Sequence, residues 1–355
     1  MFTSQEGGGG LTVEVGGMGM YGKLGILISL TAVKVISAPG SLGETGLYQD
    51  VSAKTIASEI RSYSPQYPLW TDGALKNRWV YLPPGTTINN VDNDNWIFPV
   101  GTKFWKEFSF PHQSGSGMKR VETRYLEKKI GGTWDFAAYI WNEEESQATL
   151  APSIGKKNAY PTSYGTTHDI PSSASCVRCH SHGGDAIIGF DPLQLSVDRD
   201  ALAPHAELTF AGHLNLAILS EENRLTHPPS SYAPKIAARS PVARAALGYL
   251  HANCGSCHNP MGSAAYTQLY FRHSSGAESE ASAPSFLSAV NQLATGYVIP
   301  GEDESFRIKP GSPEKSAVYF RLQASGFDRM PPLGSKVNDT IAADLIADWI
   351  KHHTQ

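Results

Sequence analysis

Four cysteines are all that this 355-residue chain contains, and two short motifs use every one of them. Long apolar runs are also missing. The longest, Leu24 to Val33, ends at Lys34 and is too short to cross a bilayer, which argues against membrane insertion. Charge is sparse at 17% of residues, with 29 basic against 33 acidic side chains and a net of −4. That balance provides neither the basic face that nucleic acid requires nor a polybasic stripe for anionic lipid. The nucleophile-elbow pattern G-x-S-x-G and the Walker and Rossmann glycine fingerprints do not occur. With 34 glycines and 23 prolines, the composition describes a globular chain rich in turns.

What is present is a repeat. Cys176-Val177-Arg178-Cys179-His180 and Cys254-Gly255-Ser256-Cys257-His258 both read C-x-x-C-H. This spacing indicates covalent attachment of a c-type haem, with two thioethers to the porphyrin and the adjacent imidazole on iron. Two covalently bound haems c are therefore expected, one on Cys176 and Cys179 with His180 as axial ligand, the other on Cys254 and Cys257 with His258. A thioredoxin-like dithiol, disulfides or a four-thiolate zinc site would use the same cysteines. The two pairs stand much farther apart than in compact zinc ribbons, and none of these alternatives needs a histidine after each pair.

Around the motifs, four segments are expected. Residues 1–44 read as leader and linker; Leu24 to Val33, behind Lys23, is patterned as a short signal core starting from Met18 or Met20, or else as a buried strand. Residues 45–165 alternate apolar and polar residues between Gly, Pro and Asn turns, which predicts an antiparallel β sandwich or barrel. Six of the seven tryptophans fall between Trp70 and Trp141, so they form either its core or a face for a small-molecule or polymer ligand. Residues 166–240 form an irregular haem-binding segment. From residue 241 the pattern is helical, with Ala246, Leu250 and Cys254 on one face and a last helix capped by Asn338-Asp339.

The iron above His180 lacks an obvious second ligand. His205 is the first choice, because the chain between them is long enough to wrap around a ring. His168, His213, Met118 on its glycine-rich loop, or an open coordination position remain alternatives, while His182 lies too close behind His180.

Residues 241–355 resemble class I cytochromes c. The likeness rests on a helix running into Cys254–His258, a long loop, Arg329-Met330-Pro331-Pro332-Leu333-Gly334, and a terminal helix with Trp349. It implies an all-α domain in which Ala246 and Leu250 meet Trp349, and Met330 as the second axial ligand of the His258 haem. Met261 is too close to His258 to compete. More loosely, the whole chain is similar to bacterial dihaem c-type cytochromes, through Tyr67-Pro68-Leu69-Trp70-Thr71-Asp72-Gly73-Ala74, Phe98-Pro99-Val100-Gly101-Thr102, Val121-Glu122-Thr123-Arg124 and Gly189-Phe190-Asp191-Pro192-Leu193-Gln194-Leu195. That resemblance implies haem attachment after export, in the periplasm or at the cell surface. The expected function is transfer of single electrons between redox partner proteins. The alternatives are a haem-dependent oxidoreductase, peroxidase-like or substrate-oxidising, with an open site at the first haem, and a binding module that tethers the cytochrome. Glu143-Glu144-Glu145 is a solvated loop or a docking patch for a basic partner.

Overall fold

The alternation of the β-rich segment builds one open sheet. In chain order, β3 (Arg61–Ser62), β4 (Leu75–Tyr81), β5 (Lys103–Pro111), β6 (Met118–Lys128), β7 (Trp134–Trp141) and β8 (Ala148–Leu150) pair with their neighbours, all antiparallel. Gly131 and Gly132, both at positive φ, turn β6 into β7 where a side chain would be strained. The hairpins β1 (Tyr48–Asp50) with β2 (Thr55–Ile56) and β9 (Lys156–Pro161) with β10 (Thr167–Ile170) stand apart from this sheet. The computed structural model describes residues 38–180, 185 and 187–354, so the signal core expected at Leu24–Val33 lies outside the described residues.

Strand register sorts the side chains into two faces. One presents Trp79, Trp105, Tyr125 and Ala137 in a row, and Leu42, Leu47, Tyr48 and Ile60 cover it. The other presents the row Val80–Phe104–Leu126–Phe136, with Arg78–Lys106–Arg124–Ala138 beside it. Phe98, Phe190, Leu195, Leu214 and the short helix α2 (Leu216–Glu221) cover its apolar part. The expected sandwich or barrel is thus corrected. The sheet does not close on itself: loop segments bridge its edge strands at Tyr63 with Leu214 and at Ser41 with Thr149, and its faces are covered by loops and short helices rather than by a second sheet.

The C-terminal expectation is also corrected: an all-α class I cytochrome c domain is not seen. The described residues carry ten strands and six sparse helices, four of them eight residues or shorter. In the C-terminal part, α3 (Pro241–Asn253) is capped by Ser240 and α6 (Thr340–His353) by Asp339, each side chain accepting from a first-turn backbone N–H at 3.1 Å. Ala246, Leu250 and Trp349 share their buried core. Between these helices lie only α4 (Pro284–Ala289), α5 (Ala317–Gln323) and isolated turns and bridges such as Val290 with Ile308. Pro260, Pro284, Pro300-Gly301, Pro310-Gly311 and Pro313 interrupt the stretch too often for longer helices.

The segment before β4 binds the sheet to this helical part. Tyr67 enters the α3/α6 core; the Trp70 backbone N–H donates to Asn253 Oδ1 at 2.7 Å, and its indole Nε1–H donates to the Val337 carbonyl at 3.0 Å. Asp72 accepts from the Lys336 and Val337 backbone N–H groups at 2.8 and 2.9 Å.

Candidate haem-attachment site

The first motif occupies α1 (Ser173–His180), which rests on β7 with the His180 ring 5.5 Å from Phe136. Cys176 and Cys179 are half-buried, and Arg124 on β6 lies close enough for its charge to act on both thiols. Burial raises the Cys176 pKa, and the Arg124 charge opposes that rise.

The second motif continues from α3 as a tight turn. The Cys257 and His258 N–H groups both donate to the Cys254 carbonyl, at 3.1 and 2.8 Å. Gly255 is required there, because a Cβ would come within 2.5 Å of the His251 carbonyl. His258 Nδ1 lies 3.3 Å from the Leu269 carbonyl. A carbonyl only accepts, so Nδ1 carries the proton and Nε2 is left with its lone pair. This is how metal-ligating histidines are usually oriented, by a hydrogen bond from the other ring nitrogen. Burial first, and then the Arg321 and Arg307 charges, lower the His258 pKa against the opposing Leu269 bond, which favours the neutral ring a metal requires.

The two motifs, remote in sequence, border one open cleft. Cys179, Gly255 and Ser256 line it together with Trp96, Phe190 and His251. The Cys179 thiol lies within hydrogen-bonding reach of Cys257, and that contact followed by burial raises its pKa. Burial, with Cys257 adding to it, pushes Cys254 up to about 12. No disulfide joins any of these four cysteines. Among the described residues, no three His, Cys, Asp or Glu side chains converge as a metal-holding cluster, so the thiols are not arranged as a four-thiolate zinc site. The donor set fits two haem-c attachments: a pair of cysteines outside any disulfide and an adjacent imidazole in each copy, with one imidazole already oriented.

The remaining expected ligands lie elsewhere. Met330 is half-buried, and its N–H donates to the Arg321 carbonyl at 2.8 Å, which sets its loop beside α5 and the cation that acts on His258. Arg329 ties that loop to Ser335, Val337 and Asn338 ahead of α6. His205 sits at the α6 cap, with Nε2 2.8 Å from both Asp339 oxygens and its ring 4.6 Å from Trp70. His168 is buried against Phe108 and Phe110, with Nε2 2.8 Å from Glu122. Met118 and Met261 are exposed, and His182 lies outside the described residues.

Sequence reasoning missed the pair His251 and His273. Their rings are 6.2 Å apart, and the His273 backbone N–H donates to His251 Nδ1 at 3.0 Å. Among the described residues neither ring nitrogen of His273 has a hydrogen-bond partner, and burial, then His251, lowers its pKa to about 3. The only signal in the sequence was His251, one helical turn before Cys254.

Searches against protein-family models, curated proteins and solved structures find no match. No helix among the described residues is long and apolar enough to cross a membrane.

Proposed function

We propose that this chain is a dihaem c-type cytochrome that passes single electrons between redox partner proteins in the periplasm or at the cell surface. Haem 1 would be held by Cys176, Cys179 and His180, and haem 2 by Cys254, Cys257 and His258, with Met330 as the second axial ligand of haem 2. The observation that carries this reading is the meeting of two separate C-x-x-C-H motifs at one cleft, with Cys179 against Cys257. Adjacent attachment points favour internal electron exchange over two independent centres.

When bound, haem supplies one-electron chemistry at iron. The protein's part is to orient and to tune. Leu269 fixes the ring of His258, and Arg307 and Arg321 place positive charge beside it. Phe136 supports His180, and Trp96, Phe98 and Phe190 supply apolar cleft wall. A second reading, a haem-dependent oxidoreductase, is favoured by the cleft's polar side, where Asp191, His251 and Arg272 face the same space as Cys179.

Expression in a host that matures c-type cytochromes tests both readings. Two covalent haems by mass, lost pairwise in Cys176→Ser/Cys179→Ser and Cys254→Ser/Cys257→Ser variants, are expected; a red-free polypeptide of unaltered mass refutes the proposal. Two low-spin haems in the oxidised spectrum support the relay, and a high-spin haem that shifts with cyanide supports the enzyme.

A further inference from the structure

On the sheet face that carries α1, three cations stand directly opposite one another: Arg78 on β4, Lys106 on β5 and Arg124 on β6. Lys76, two residues before Arg78, adds a fourth to the same face. Like charges facing each other across a sheet are unfavourable, and burial makes them more so. Arg78 and Lys76 are 5% and 8% exposed, and Lys106 is half-buried.

The carboxylates nearby do not balance this row. Glu207 pairs with Arg78, and Glu122 forms a two-pronged pair with Arg124 at 2.8 and 3.1 Å while also bonding His168. Among the described residues, Lys106, between the two arginines, has neither a hydrogen bond nor an ion pair. Its ammonium lies 5.1 Å from the Phe108 ring centre. Burial, followed by the charges of Arg78, Lys76 and Arg124, holds its pKa well below the ordinary lysine value. Burial and Arg78 likewise lower Lys76 to about 8. A row so arranged lacks an anion.

Its position indicates which anion. Arg124 faces Ala138 on β7, and Phe136, two residues earlier on the same face, touches His180. The Arg124 end of the row therefore adjoins the first attachment motif, with Lys106 one strand further from it. We infer that Arg78, Lys106 and Arg124 form a carboxylate seat that receives the propionates of the porphyrin joined to Cys176 and Cys179. This rests on the dihaem reading and adds the residues that hold the acidic edge of haem 1.

The test uses holoprotein matured with both haems. Lys106→Gln removes one cation, leaving the propionate charge less compensated and the oxidised iron favoured. One of the two steps in a potentiometric titration should fall by about tenfold in its reduction equilibrium, or about 59 mV for one electron. The other step should stay in place, and Lys106→Arg should restore the first. Lys106→Met, of similar length and apolar, serves if the glutamine variant does not fold. Two haems with unshifted potentials in both charge-removing variants overturn the seat while leaving the dihaem reading intact. Stabilisation of the wild-type holoprotein by inorganic phosphate, abolished in Lys106→Gln without any shift in potential, assigns the row to a free anion and also overturns it. Wild-type protein without haem overturns the underlying reading and the seat together.

Discussion

Glu122 shows how one residue can be fixed by its surroundings. Buried at 0% exposure, it accepts from Arg124 on one side and His168 on the other. Burial pushes its pKa up, but the Arg124 charge and the His168 hydrogen bond outweigh that and lower it to about 2 from its ordinary 4.5. A carboxylate depressed on folding contributes stability that is full above its unfolded value. That contribution is lost as pH falls from about 4.5 through about 2. Glu122→Gln should therefore destabilise the protein at pH 7 by about 3–5 kcal/mol, the usual effect of breaking a buried pair. The loss should shrink towards pH 3. Urea denaturation at the two pH values measures both, and a pH-independent difference would show that the pair contributes no net charge stabilisation. None of this triad was legible in the sequence. Glu122 and Arg124 are two residues apart on one strand, but His168 reaches them only through the fold.

At the scale of elements, the cap of α6 does two things. Asp339 accepts from the Ala342 N–H at 3.1 Å and holds His205 Nε2 at 2.8 Å, so the helix start is tied to the loop that carries His205 and stacks on Trp70. Asp339→Ala should reduce stability by about 1–3 kcal/mol, combining a lost cap with an orphaned imidazole. His205→Gln, which can still donate to Asp339, should recover most of the His205 part. Equal losses in Asp339→Ala and Asp339→Asn in thermal melts would contradict the capping role, since asparagine also caps. The cap itself was legible, because Asn338-Asp339 precede an apolar stripe of helical period. Its partner was not, since spacing along the chain offered His205 to an iron and says nothing about which side chain lies nearby in space. The strands were legible for the same reason as the helix, periodicity. Their closure into a sandwich was not, because alternation requires that each face be covered but does not specify by what.

The whole molecule is knit across its expected segments. Tyr67, Trp70 and Asp72 reach from the edge of the sheet into the α3/α6 core and the lead to α6, and the described residues belong to one compact unit. Single cooperative units unfold without populated parts. Haem-free protein, with its four cysteines replaced by serine, should therefore give one calorimetric transition with equal calorimetric and van't Hoff enthalpies. Two resolved transitions, one near-UV silent in the tryptophan-rich sheet, would mean that the β and helical parts fold separately. The C-terminal resemblance misled at this scale. The helical segments flanking Cys254–His258 and Met330 are real, but the proline- and glycine-broken chain between them forms loops that depend on the rest of the molecule.

The two C-x-x-C-H motifs and local periodicity were written in the sequence: which cysteines share a motif, which histidine follows them, where strands and capped helices begin. These depend on neighbours a few residues away, so spacing alone reports them. Only the tertiary structure brought Cys179 to Cys257, turned His258 by way of Leu269, withdrew His205 to Asp339 and aligned Arg78 with Lys106 and Arg124. Those relations depend on strand register and on segments that pack from far along the chain, and no local pattern encodes either.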